Sequence, residues 1–259
     1  MNPEKYSPPV DRLLSLGEPS MEVNWVEHLE YKFEPEHIPM LIQMATDDDL
    51  FAAPSESKEV WAPIHAWRAL AQLRAEAAIE PLLSILCRID RYDDDWANEE
   101  LPVIFSMIGP AAVPGLHKYL ADPSRGEYAR IAAVASLQEM VKKYPEARDA
   151  CVAALMAQLE QYPSNTGGMN GFLILALAEM RVTEALPLIE QAFSENCVDE
   201  FVMGDWEDVQ IEFGLKEKRE TPKLSLSSGR SEPDFSHSAS KTTKAKRKLK
   251  KKSRKKNRK

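Results

Sequence analysis

Three short stretches set carboxylates beside a tryptophan. TDDDLF, at 46–51, precedes Trp61; RYDDDWANEE, at 91–100, places Asp93, Asp94 and Asp95 directly before Trp96; and GDWEDV, at 204–209, surrounds Trp206 with Asp205, Glu207 and Asp208. Carboxylates attract lysine and arginine, while an indole face holds a cation or an aliphatic stem. The chemistry implied is non-covalent capture of a basic segment, with Trp61, Asp93, Asp94, Asp95, Trp96, Trp206, Glu207 and Asp208 as candidate contacts. The competing reading is a solvated acidic edge whose tryptophans pack inward. Neither aspartate run has the glycine that a calcium loop of the EF-hand type needs for its turn, so a dedicated metal site is not expected.

The last nineteen residues, KTTKAKRKLKKKSRKKNRK, carry the opposite charge. They hold thirteen lysines and arginines and no acid. The chain has 259 residues and a formal net charge of -8, so removing this +13 tail leaves -21 on residues 1–240. A body that acidic repels nucleic acid and anionic membranes and attracts basic segments, whereas the tail does the reverse. Candidate phosphate contacts are Lys246, Arg247, Lys248, Lys250, Lys251, Lys252, Arg254, Lys255, Lys256, Arg258 and Lys259. Such contacts are sequence-independent and weaken with salt; half of the charges engaged gives a log–log slope of about -5. No aromatic residue is interleaved, so stacking on single-stranded bases is not indicated. A solubility or targeting element is the plainer alternative, and in a eukaryote the run passes as a nuclear-import signal.

No reaction is legible. There is no G-x-S-x-G, no H-E-x-x-H, no phosphate loop and no dinucleotide fingerprint. The one glycine cluster, SNTGGMNG at 164–171, reads as a turn, and the five histidines are scattered singly. His117 falls at a core-type position and reads as a core or boundary histidine. Cys87, Cys151 and Cys197 are far apart and sit in apolar helical patterns, so they read as small buried residues of a reducing compartment. No apolar run reaches signal-peptide or membrane-spanning length. A soluble cytoplasmic protein (nuclear if eukaryotic) without catalysis or cofactor is the expectation.

The elements that position these residues are helices. An apolar stripe at i, i+3, i+4 and i+7 recurs at Ile38, Leu41, Ile42 and Ala45, then at Ile79, Leu82, Leu83 and Leu86. It returns at Val113, Leu116, His117 and Leu120, at Val152, Leu155, Met156 and Leu159, and at Leu186, Ile189, Glu190 and Phe193. The starts are 41, 34, 39 and 34 residues apart, room for two antiparallel helices and a turn. Pro39, Pro81, Pro114 and Pro187 mark the first turns of these second helices, with Ala153 in place of proline in the fourth copy. WAPIHAWRALAQL, LPVIFSMIG, ARIAAVASLQEMV and NGFLILALAEM read as first helices, so the acid-rich stretches fall in loops between units.

LAQLRAEAAIEPLL and LAEMRVTEALPLI are the same unit with one residue dropped. These units resemble HEAT repeats, especially the short type of phycobilisome-lyase-like proteins. HAWRALAQLRAEAAIEPLL, DDDWANEELPVIFSMIGPAAVPGL and GDWEDVQIEFGLKEKRETP further resemble an uncharacterised family of HEAT-repeat proteins. The resemblance implies an all-α, right-handed α–α superhelix (solenoid) of about five helix pairs that acts as a binding scaffold. The domain reading is a helical cap at 1–35, where Leu13, Leu14, Trp25, Val26 and Leu29 cover the first unit. HEAT-like repeats follow at 36–197, then a capping helix at 198–220 with Val202, Trp206, Val209 and Phe213 on one stripe. Residues 221–259 read as a disordered linker and polybasic tail.

The leading functional expectation is a scaffold whose acidic body grips a partner protein through a basic segment. The runner-up is an adaptor whose tail docks on RNA, the ribosome or DNA. A third, assistance in bilin attachment, rests on the lyase-like resemblance alone. The opposed charges also allow the tail to fold back on the body, an intramolecular contact favoured by tethering.

Overall fold

The computed structural model describes residues 5–20 and 31–222. The expectations for Trp25, Val26 and Leu29, and for the tail, lie outside the described residues. Every regular element among the described residues is a helix.

A local rule recurs along the chain. Short 3-10 turns at Pro35–His37, Glu76–Ala78, Pro110–Ala112, Pro145–Ala147 and Thr183–Ala185 each run straight into an α-helix. Those helices are α1 (Ile38–Ala45), α4 (Ile79–Ile85), α7 (Val113–Ala121), α9 (Arg148–Leu159) and α11 (Leu186–Ser194). Pro39, Pro114 and Pro187 occupy the first turn, where a missing N–H leaves no bond unmade. The fourth unit departs from the expected register. Its helix begins at Arg148, so the starts are spaced 41, 34, 35 and 38 residues, and Val152 lies one turn inside. Pro145, in the preceding 3-10 turn, does the punctuating there.

The helices that precede these are α3 (Ala62–Gln72), α6 (Asp95–Ile108), α8 (Glu127–Lys143) and α10 (Gly167–Glu179). Shorter pieces fill the joints: α2 (Asp48–Phe51), α5 (Arg88–Tyr92), α12 (Glu200–Met203) and α13 (Trp206–Glu212). Contacts run α3 to α6 to α8 to α10 in one rank and α4 to α7 to α9 in another; α7 and α9 also pack on α8. A single apolar core threads the ranks, with Trp67, Leu70, Leu82, Leu101, Phe105, Leu116, Leu137, Leu155, Leu173 and Leu177 almost or wholly withdrawn from water. Of the stripe positions, His117 and Glu190 are exposed. His117 is therefore not a core histidine: it stands at the i+4 position, which is only half-buried at Ile42 and Met156 although buried at Leu83.

The matching of LAQLRAEAAIEPLL with LAEMRVTEALPLI extends to the backbone. Arg74 and Arg181 both turn left-handed, at φ 49° and 56°. Ala75 N donates to Leu70 O and Val182 N to Leu177 O, each at 3.0 Å. Both helices thus end in the same six-to-one turn.

Two close approaches need glycine. Asp90 on α5 caps the next unit: its carboxylate oxygens accept from Tyr128 N (3.0 Å) and Ala129 N (2.9 Å) at the start of α8. A Cβ on Gly126 would sit 2.1 Å from that carboxyl group. The glycine cluster at 164–171 is not a turn throughout. Thr166 caps α10, accepting from Met169 N at 3.1 Å, and the glycines lie inside the helix. A Cβ on Gly171 would come within 2.9 Å of Val202, so the glycine lets α12 lie flat on α10.

Both ends carry short elements. A 3-10 helix, Val10–Ser15, buries Leu13 against α3. At the other end the expected capping helix is two pieces, α12 and α13, parted at Gly204.

Candidate functional site

The acid-rich stretches are helix N-termini rather than loops. An exposed helix start leaves N–H groups unpaired, and a short carboxylate side chain answers them while facing the positive end of the dipole. Asp47 accepts from Asp49 N at 3.0 Å and starts α2. Asp94 accepts from Ala97 N at 3.1 Å and starts α6. Asp205 accepts from Asp208 N at 3.0 Å and starts α13, with Asp208 returning a contact to Asp205 N. At least one acid of each run is thereby committed to the backbone, and in the third run two are.

Their surroundings set their charge. Asp47 is buried, which works against ionisation, but Lys5 Nζ at 2.7 Å, the Tyr6 hydroxyl and Asp49 N–H outweigh this and hold its carboxyl below the ordinary range. Burial pushes Asp94 the other way, above the ordinary range, despite the Ala97 N–H and the nearby Arg88 guanidinium. Asp93 ends α5 in a left-handed conformation, φ 52° and ψ 44°, a shape aspartate tolerates well.

The first two stretches meet. Trp61 and Trp96 pack edge to face with centroids 5.6 Å apart, and Phe51 and Tyr92 lie 5.3 Å apart. Arg88, almost wholly buried, spans the joint: its guanidinium lies 4.3 Å from the Phe51 ring centre and Nη2 donates to Asp48 at 2.8 Å. The molecule already places a cation against an aromatic ring and an aspartate here. Around it Asp48, Asp49, Asp93 and Asp95 remain exposed, as does Tyr92 at 59%. Beneath lies a second, buried pair. Arg68 donates from Nε and Nη2 to Glu100 at 3.0 and 2.5 Å, joining α3 to α6.

The third stretch stands apart and is occupied. Trp206 packs on Phe193 at 6.0 Å. Around it the chain's own residues 216–221 fold over the three acids. Arg219 donates to Asp205 (3.0 and 2.6 Å) and Asp208 (2.6 Å), and Lys216 Nζ reaches Glu207 at 3.1 Å. Glu207 also accepts the Thr221 hydroxyl, Glu220 N at 2.8 Å and Thr221 N at 3.1 Å. These donors, the Thr221 hydroxyl foremost, hold the Glu207 carboxyl at about 2, while Asp205 and Asp208 push Arg219 up. Sequence reading missed this clasp and the Arg88 contact. The only trace was a lysine and an arginine three apart in KEKRETP, just past a run of acids.

The candidate nucleic-acid contacts from Lys246 to Lys259 lie outside the described residues. Among the described residues, no three His, Cys, Asp or Glu side chains gather as a metal site, and no helix is long and apolar enough to cross a membrane. Cys87, Cys151 and Cys197 are free thiols, Cys151 buried and the others half-buried.

A search of curated proteins returned no match, and neither did a search of solved structures. A family model does match, over residues 28–231. That span holds both acidic sites and every helix from α1 to α13, and on it the chain belongs to the family described as "Protein of unknown function (DUF1186)".

Proposed function

We propose that the chain is a non-catalytic binding scaffold, a right-handed solenoid of about five HEAT-like helix pairs whose acidic helix starts grip a basic segment of a partner protein. The two ranks of helices, each packed on its neighbours, support the solenoid. One observation carries the binding reading: Asp205, Glu207 and Asp208 hold Lys216 and Arg219 of the same chain. This intramolecular contact supports the reading that an acidic stretch beside a tryptophan can hold lysine and arginine side chains. The site at 48–51 and 92–96 has the same composition, with its outer aspartates and Tyr92 open to solvent.

The test is titration of a fluorescent Lys/Arg peptide into full-length protein. Neutralising Asp49, Asp93 and Asp95 to asparagine spares the caps Asp47 and Asp94 and leaves Asp48 paired with Arg88. At about 0.2–1 kcal/mol per exposed pair, losing three pairs lowers affinity between about threefold and about a hundredfold. Neutralising Glu146 and Asp149, exposed charges at the start of α9, leaves it near wild type. Equal loss in both variants would reduce the site to diffuse attraction.

A second reading is favoured by the thirteen cations of residues 241–259: an adaptor that docks on RNA, the ribosome or DNA. Deleting them and repeating pull-downs with and without nuclease separates it from the first. Tail-independent capture that survives nuclease supports the scaffold, and capture lost with the tail or the nuclease supports the adaptor.

A further inference from the structure

A cleft of about 400 Å³ opens between α7, the first turns of α8 and the end of α9. Its polar lining is Arg130, His117, Gln158, Gln161, Ser164 and Asn165, without a single carboxylate. In a body carrying -21, such a surface is unusual. Arg130 is its cationic anchor. Its Nε donates to Leu120 O at 2.8 Å, a neutral acceptor, and no carboxylate lies within ion-pair distance of it among the described residues. The two acids near enough to act on it, Asp122 and Glu127, are otherwise committed. Asp122 accepts from Ser124 N (3.0 Å), Ser124 Oγ (2.6 Å) and Arg125 Nε (2.9 Å), and Glu127 accepts the Thr166 hydroxyl. Gln158 lies beside Arg130: its side-chain amide donates to Leu120 O at 3.2 Å and its oxygen accepts from Arg130 Nη2 at 2.9 Å, which orients the guanidinium, while Asn165 Nδ2 donates to Asn170 Oδ1 at 2.9 Å.

We infer that this cleft binds the phosphate group of a small phosphomonoester. A half-buried guanidinium held by neutral acceptors, with no carboxylate paired to it and neutral polar side chains lining the same cleft, is the chemistry that recognises an oxyanion. Donors from Arg130, His117, Gln161 and Ser164 answer the three terminal oxygens of a phosphate better than the two of a carboxylate. The volume leaves room for a compact organic body beyond the phosphate. This site is separate from the acidic ones and independent of the scaffold reading.

The test is a titration of full-length, ¹⁵N-labelled protein with glycerol 3-phosphate, followed by NMR, with acetate as the carboxylate control. The side-chain amides of Gln158, Gln161 and Asn165 are expected to shift and saturate with phosphomonoester and not with acetate. Arg130→Gln weakens the titration about tenfold or more. Gln161→Glu, a change at an exposed position that puts a carboxylate into the cleft, does the same and covers the case in which Arg130→Gln fails to fold. Shifts confined to the lysine-rich tail, equal response to acetate, or unchanged affinity in Gln161→Glu would overturn the assignment.

Discussion

Replacing Gly126 by alanine isolates one contact between successive units. Gly126 precedes α8 with φ −59° and ψ 150°, a conformation alanine adopts freely, so the backbone offers no objection. The conflict is with Asp90 alone, whose carboxyl carbon would lie 2.1 Å from the new Cβ. The carboxylate must swing into solvent and release Tyr128 N and Ala129 N. Tyr128 is exposed and regains water, but Ala129 is buried, so the loss falls toward the upper end of an N-cap deletion, about 2 kcal/mol. For a chain of this size that is a fall of about 4–8 °C in Tm. Asp90→Ala removes the same two bonds and costs about the same. The informative sample is the double variant: with the carboxylate gone, the alanine meets nothing, and Asp90→Ala/Gly126→Ala is no less stable than Asp90→Ala. Urea melts followed by circular dichroism give the three values. Additive costs, or a harmless Gly126→Ala, would refute the inter-unit cap.

Two further outcomes follow from the clasp and the helix ends. Because the Glu207 carboxyl is held at about 2, below the ordinary carboxylate range, its contribution is present above about pH 4.5 and is lost as pH falls toward 2. Limited proteolysis is expected to cut at Lys216, Lys218 and Arg219 faster in Glu207→Gln than in wild type at neutral pH; equal rates would mean that the carboxylate does not hold the strap. Arg74 sits left-handed at φ 49° with its side chain exposed, so Arg74→Gly is expected to raise stability by about 1 kcal/mol, read as a higher urea midpoint.

The periodic part of this molecule was legible in sequence because burial repeats at helical spacing. Leu41, Leu82, Leu116, Leu155 and Ile189 are all buried, and proline marks four of the five second helices. Register was harder to read. Val152 carries a good stripe, yet helix α9 starts four residues earlier, because an amphipathic pattern locates a face and not a terminus. The same limit hid the role of the aspartates. From its spacing DDDW reads as a loop ahead of a helix starting near Leu101, whereas α6 begins at Asp95 and carries Pro102 in its interior. Two features left no periodic trace. The clasp joins residues 205–208 to residues 216–221 across a chain reversal, and the phosphate cleft draws on three helices. Pairings of that kind depend on how elements meet, which the spacing of apolar residues does not encode.

The clasp has a geometric corollary. Thr221 is pinned to the body through Glu207, and the first lysine of the polycation is Lys241, twenty residues on. A chain of that contour stretches to about 70 Å at most. Whatever the leading ammonium group touches while the clasp is shut must lie inside that radius of α13, and opening the clasp moves the centre of the sphere as well as enlarging it.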